Sequence, residues 1–325
     1  MTDTAFPPVT IIIPNFNGAP LLRRNLPCVL AAIRQYAGRG QAIVVDDCSR
    51  DESIEVLKTE FPKVKLVAHP ENRGFSEAIH SGVRAAGSEL LIFLNSDVRP
   101  DADFIAPLVG HFARPEVFSV TPLVVDGEGQ VTDESWRCYR IRRGRFRALK
   151  GRGFVPNKPA ETLFCSGGSM ALRKSKFLEL GGFLPIFKPF YSEDSDLGLR
   201  AWRRGWRSIF EPGCRVVHDH RGSSINKNVP SIRVRKTRRR NQFLLEWMHV
   251  PAWDIAVALI PGYAVQSLGR LAKLDWVYFA GFFAALRRLP EALAIRAEIG
   301  RMSVLELWEI MDSIERSKAE AETSA

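Results

Sequence analysis

The sequence predicts an α/β protein: a mostly parallel sheet covered by helices, followed by a helical C-terminal region. Three observations carry this. Apolar runs of strand length alternate with helical periodicities from Val9 to Asp97, the order of a sheet built by crossover connections. Polar turn-formers close the runs as "PNFNG", "DDCSRD", "HPENRG" and "NSDVRP", where such sheets bind ligands. From about Ser231 the pattern becomes helical and apolar with basic patches.

The elements follow in order. "VTIIIP" reads as a buried strand stopped by Pro14, and "APLLRRNLPCVLAAIRQYAG" as a helix ending near Gly38. "QAIVVDD" is a second strand; "SRDESIEVLKTEF" is a second helix with Ser49 as its expected N-cap. "VKLVAHP", the helix "GFSEAIHSGVRAAG" and the strand "ELLIFLNSD" complete the alternation. Beyond Asp97 the order is less regular. "FSVTPLVV" reads as a strand, and "RCYRIRRGRFRALKGRGF" as a loop, being basic and glycine-rich. "TLFCSGGSMALRKSKFLELGGF" reads as strand, small-residue turn and short helix; "YSEDSDLGLRAWRRGW" opens a helix on acids.

With 325 residues, 46% of them hydrophobic, the chain accommodates a domain over 1–230 and a helical region over 231–325. A net charge of +10 suits nucleoside diphosphates, nucleic acid or an anionic membrane surface without choosing among them. The five cysteines form no C-x-x-C pair, against a zinc site or disulfide framework and consistent with a reducing compartment. The N-terminus has no basic n-region and no apolar stretch approaches the roughly 20 residues of a spanning helix. The expected location is cytoplasmic, including the cytoplasmic face of an inner membrane.

Four groups of residues carry candidate chemistry. In "LNSDVRP", Asn95 and Asp97 at a strand end are oxygen donors of the kind Mg²⁺ and Mn²⁺ take alongside phosphates; an Asx-turn is the simpler use. In "VVDDCSRD", Asp47 is open to a metal, a base or ribose, or the next helix's N-terminus. No G-x-G-x-x-G or P-loop follows the first strand. Glu193, Asp194 and Asp196 crowd one helix start, where mutual repulsion favours a general base. His218 and His220 share a face if "RVVHDHRGSS" is extended.

In their order along Val9–Ser224, "VTIIIPNFNG", "VVDDCSRD", "ENRGFSEAIHSG", "LLIFLNSDVRPDADFI", "CSGGSMALRKSKFLELGGF", "YSEDSDLGLRAWRRGW" and "RVVHDHRGSS" resemble the inverting family 2 glycosyltransferases. The subgroup they look most like contains bacterial rhamnosyl- and galactofuranosyltransferases of surface polysaccharides. The resemblance implies the Rossmann-like GT-A fold and a UDP- or dTDP-sugar donor. It implies a saccharide or lipid-linked acceptor and Mg²⁺ or Mn²⁺. It assigns nucleotide contacts to Pro14, Asn15 and Asn17, the base to Asp47, and base or diphosphate to Arg73. Asn95 and Asp97 match the D-x-D motif, with Asn95 departing from the first acid; Asp97 and His218 match metal ligands, His220 being the alternative. Asp194 matches the catalytic base, a single carboxylate base implying inversion. Gly167 and Gly168 allow close approach of donor or acceptor, or tight packing.

Two other readings compete. A nucleotidyltransferase making the activated sugar would place a glycine-rich, basic phosphate loop where "PNFNG" stands. A nucleic-acid-binding module would use "RIRRGRFRALKGR" and "RVRKTRRR", but no aromatic-bearing recognition motif accompanies them. In the C-terminal region, the basic run with Trp247, Trp253 and Trp276 predicts amphipathic helices on an anionic membrane. Packing on the catalytic core, or a homodimer interface, is the alternative use of those helices.

Overall fold

The computed structural model describes residues 6–149, 155–219 and 229–323. The first half alternates as expected: β1 (Val9–Asn15), α1 (Ala19–Gln35), β2 (Gly40–Asp46), α2 (Ser53–Thr59), β3 (Lys65–Ala68), α3 (Phe75–Ala85) and β4 (Leu90–Leu94). Then come β5 (Val98–Pro100), α4 (Ile105–Gly110), β6 (Val117–Val125), β7 (Tyr139–Arg142), β8 (Arg145–Ala148), β9 (Ala160–Glu161), β10 (Ser169–Arg173), α5 (Lys174–Glu179), α6 (Glu193–Arg203) and β11 (Arg207–His218). Eight strands of the main sheet run in the order β3-β2-β1-β4-β10-β6-β11-β5, with β9 on β11. Pairing is parallel from β3 to β4, and antiparallel at β10 and between β11 and β5.

Side-chain alternation explains why both faces are covered. On β1, Val9, Ile11 and Ile13 enter one apolar cluster while Ile12 enters another; β2 and β4 divide in the same way. Strands buried on both faces read as continuous apolar runs. Gly82 lets α3 approach β1, because a Cβ there would lie 2.3 Å from Ile12 Cγ2. Two local expectations change. Ser49 caps no helix: its hydroxyl donates to Asp46 at 2.6 Å, and α2 starts four residues later. Within the predicted basic loop, residues 139–148 form the β7–β8 hairpin, because Tyr139 and Phe146 are buried and pack edge to face; residues 150–154 lie outside the described set.

The C-terminal helices include α7 (Ser231–His249), α8 (Ile260–Leu271), α9 (Trp276–Leu286), α10 (Leu289–Met302) and α11 (Leu307–Thr323). Their apolar residues share one cluster with Phe146, Phe164, Leu199, Trp202 and Phe210 from the sheet half. Trp247, expected near lipid headgroups, is buried in that cluster at 8% exposure because the inner face of α7 packs on the core.

Buried polar groups fix how α7 sits. Asn241 is fully buried, and its Nδ2 donates to the carbonyls of Phe187, Phe190 and Tyr191 at 2.8, 2.9 and 2.7 Å. Arg240 adds bonds to Phe187 O and Lys188 O. Asn241→Ala strands these carbonyls away from water and should lower stability by about 2–3 kcal/mol, read as a lower denaturant midpoint at unchanged m.

Candidate functional site

A cleft of about 360 Å³ opens at the carboxyl ends of β1, β2 and β4. Among the residues singled out in the sequence, Pro14, Asn15, Asp47, Asn95 and Asp97 line it, whereas Asn17, Arg73, Gly167, Gly168, Asp194 and His218 do not. The lining also contains Phe16, Asn72, Phe75 and Arg233, which lie within quoted motifs without having been assigned a role, and Pro189 and Phe190, which lie outside them.

The adjacent acids at the end of β2, Asp46 closing the strand and Asp47 following it, divide their work by alternation. Asp46 turns inward with no exposure and accepts from Asn15 Nδ2 at 2.9 Å, Ser49 N at 2.9 Å and the Ser49 hydroxyl. Asp47 turns to the cleft. Its Oδ1 accepts from His69 Nδ1 at 2.7 Å and Arg73 N at 2.8 Å, and its Oδ2 from Gly74 N at 2.7 Å. It thereby holds the entry to α3, with Gly74 at φ 84°. Asn17 braces the same loops: its Oδ1 accepts from Arg50 N and its N–H donates to Ser49 Oγ, each at 2.8 Å. The Arg73 guanidinium pairs with Glu71 at 3.4 Å.

Sheet pairing builds the second cluster. Antiparallel β5 and β11 place His218 opposite Val98, so its Nε2 lies 3.4 Å from Asp97 Oδ1. The other ring nitrogen, Nδ1, meets Glu134 at 2.8 Å. Burial opposes charge on this imidazole, but the hydrogen bonds to Asp97 and Glu134 prevail and raise its pKa to about 10. Glu134 carried no sequence signal: it arrives through a turn closed by the Val125–Val131 bridge. His220 lies outside the described residues.

With the ion displacing the proton that His218 otherwise holds between the two carboxylates, an oxygen and an imidazole nitrogen side by side suit Mg²⁺ or Mn²⁺. A carboxylate on the remote nitrogen is the usual support for a ligating histidine. No group of three or more such ligands occurs among the described residues, so the remaining ligands of an ion here would be substrate oxygens and water. The donor set fits the ion.

At the start of α6 the three acids separate. Asp196 is buried against Arg200 at 2.6 Å and His249 at 2.9 Å; burial alone would raise its pKa, but those partners lower it. Glu193 is buried, its Oε2 has no hydrogen-bond partner, and burial with the neighbouring Asp194 raises its pKa to about 8. Asp194 is raised by burial, with Arg137 opposing. Its Oδ1 accepts from Ser195 N at 2.7 Å, while Oδ2 has only a long contact of 3.4 Å from Gly167 N. Gly167 stands between Asp194 and cleft-lining Phe75: a Cβ would meet them at 3.7 and 3.5 Å. Gly168 serves packing, since a Cβ would lie 2.7 Å from Asn95 Nδ2.

The approach to Asp194 is a constrained segment. Tyr191 and Ser192 both have positive φ, 73° and 74°, a conformation that costs on the order of 1 kcal/mol or more per non-glycine residue. The Asn241 bonds hold it there.

The native pKa of Glu193, about 8, exceeds the 4.5 of a free glutamate, so the native state retains a proton that the unfolded chain releases. The associated stability is complete below about pH 4.5 and is lost as pH rises towards about 8. Glu193→Gln removes that loss, and its melting temperature should fall less than the wild type's between these limits. Parallel curves for the two proteins would refute it.

The sequence profile described as glycosyl transferase family 2 matches residues 10–181. The chain is 31% identical over 226 residues to the pre-mycofactocin glycosyltransferase of Mycobacterium tuberculosis, covering 66% of this chain and 43% of that protein. It is 24% identical over 257 residues to the N-acetylglucosaminyl-diphospho-decaprenol L-rhamnosyltransferase of the same organism, covering 71% of this chain and 80% of that one. Thus it spans less than half the length of the first relative and most of the second. Among solved structures, GalNAc-T7 with UDP, GalNAc and Mn²⁺ aligns with a TM-score of 0.59 at 18% identity, over 78% of this chain and 50% of that one. A Pyrobaculum calidifontis mannosyltransferase with GDP-Man and Mn²⁺ aligns at 0.53 and 20% identity, over 98% and 88%. At these identities the likeness establishes the shared GT-A fold.

Proposed function

The chain belongs to glycosyl transferase family 2, and from that premise we propose that it moves a sugar from a nucleoside-diphosphate donor to an acceptor hydroxyl with inversion. The observation that supports the reading is that Asp47 and Asp97 line one cleft, while Asp194 lies outside its lining, across Gly167 from cleft-lining Phe75. Asp47 keeps acceptor capacity on Oδ2, where one backbone bond is made, and this suits the imide N–H of uracil or thymine in a UDP- or dTDP-sugar. Pro14 and Asn15 line the cleft and would contact the nucleotide.

Asp97 and His218 would hold Mg²⁺ or Mn²⁺, with Glu134 orienting the imidazole. Bound there, the ion neutralises charge on the departing diphosphate. Asp194 Oδ2, the less occupied oxygen, takes the proton from the acceptor hydroxyl as that oxygen attacks the anomeric carbon. Its raised pKa brings its basicity nearer neutrality. The decaprenol-linked relative supports a lipid-linked saccharide as acceptor, in surface polysaccharide or glycolipid synthesis.

Two measurements test this. UDP and dTDP with Mn²⁺ should raise the melting temperature by ligand linkage, and Asp97→Ala or His218→Ala should remove the Mn²⁺-dependent part; stabilisation that ignores chelator would remove the ion from the reading. Asp194→Asn should preserve nucleotide binding while turnover falls on the order of a hundredfold or more, as for loss of a general base. The wild type's acid limb should lie above that of an ordinary aspartate, since activity requires the deprotonated form of a group whose pKa is raised. Full turnover by Asp194→Asn would reassign the base.

A further inference from the structure

We propose that the outer face of the continuous helix from Ala252 to Leu271, with the β7–β8 hairpin tip beside it, docks on an anionic lipid bilayer. The inference deepens the transferase reading and rests on it only for the lipid-linked acceptor that such a surface would serve.

The helix is continuous through a first turn, a five-residue π-helical stretch (Ile255–Leu259) and α8. It spans about 30 Å at 1.5 Å per residue. Its inner face is pinned. The Tyr263 hydroxyl donates to the buried carboxylate of Glu246 at 2.6 Å. Glu246 also pairs with buried Arg145 of β8 at 2.9 Å. Gly262 meets Gly144 of the hairpin turn so closely that a Cβ on Gly144 would lie 2.2 Å from the Gly262 Cα.

The outer face has the opposite of ordinary surface chemistry. Trp253, Val257, Ile260, Val265, Leu268 and Leu271 are 75, 49, 56, 71, 70 and 51% exposed. Their spacing of three to five residues is one helical face. Every exposed residue from 252 to 272 is apolar, glycine or proline, and the first exposed charge is Lys273. A helix on the surface of a globular domain normally turns a polar face outward, and a contiguous exposed apolar face marks an interaction site.

Charge and aromatic placement select the occupant. Trp253 and Trp276, the latter 64% exposed, flank the stripe, as amphipathic rings do at a lipid interface. Arg142 and Arg143 are exposed at the hairpin tip that touches Gly262, and Lys273 follows the stripe. An anionic headgroup layer complements these cations. A second copy would bring two such cationic rims together across an isologous interface. The stripe lies along the helix, and among the described residues no helix is long and apolar enough to cross a membrane, so the helix would lie in the plane of the interface.

The test is co-sedimentation of the full chain with vesicles of equimolar phosphatidylglycerol and phosphatidylcholine, against phosphatidylcholine alone, at low and high salt. Binding should favour the anionic vesicles and weaken with salt. Val265→Asp combined with Leu268→Asp should lower partitioning on the order of a hundredfold, with melting temperature and stabilisation by UDP and Mn²⁺ retained. Arg142→Gln with Arg143→Asn, asparagine being tolerated at the positive φ of Arg143, should remove most of the salt dependence. Failure of the wild type to sediment at low salt, or equal binding to neutral vesicles, would overturn the proposal. So would unchanged binding by the aspartate variant, or a solution dimer that this variant dissociates. Loss of UDP stabilisation in every variant and the wild type would instead count against the transferase reading.

Discussion

One helix meets a constraint on which the rest of the molecule depends: α7 carries polar side chains into an apolar core, and each must find a partner there. An unpaired buried polar group costs more than the bond it would make contributes. Asn241 therefore fixes the 187–191 segment, Glu246 fixes the hairpin and the following helix through Arg145 and Tyr263, and His249 fixes α6 through Asp196. Four separate parts of the chain are brought to one register by three residues of a single helix. Replacing such a group by a smaller one removes a contact and also leaves partners that cannot return to water.

The same logic divides the acids. Asp46 and Asp196 are consumed by hydrogen bonds and ion pairs inside the fold. Asp47 both closes the α3 entry and faces the cleft. Asp194 has one oxygen held and the other nearly free, at the end of a segment whose backbone conformation is unfavourable without its neighbours. Carboxylates of similar local sequence thus diverge in pairing and role because their surroundings differ.

The C-terminal helices show a comparable division between two faces. Trp247 belongs to the core and Trp253 to solvent, although only five residues lie between them, because α7 ends at His249 and the chain turns at Val250 and Pro251 before the next helix. Of the arginine run, Arg240 bonds the Phe187 and Lys188 carbonyls and Arg238 lies over the Tyr191 ring at 4.2 Å. These cations support the segment before Asp194. The exposed cations of the apolar surface come instead from the hairpin tip and Lys273.

Local pattern was enough for the alternating first half, since strands buried on both faces and amphipathic helices each carry a distinct period. It also marked the strand ends where Pro14, Asn15, Asp47, Asn95 and Asp97 meet, because topology places those ends on one edge of the sheet. The β7–β8 hairpin was hidden by its arginines: Arg140, Arg142, Arg143 and Arg147 stand outside a pair held by two buried aromatics, while Arg145 is buried against Glu246. The placements of Glu134, Phe190 and Arg233 were beyond any local reading: each reaches the site across a bridge, a loop or a helix rather than by spacing, and Asn241, outside the cleft, acts through its bonds to the segment before Asp194. Sequence by itself determined the sheet and the residue types at its ligand-binding edge, because both follow from short-range periodicity. Tertiary structure alone decided which acid is buried, paired or free, because desolvation and hydrogen bonding depend on what packs around a carboxylate from distant parts of the chain.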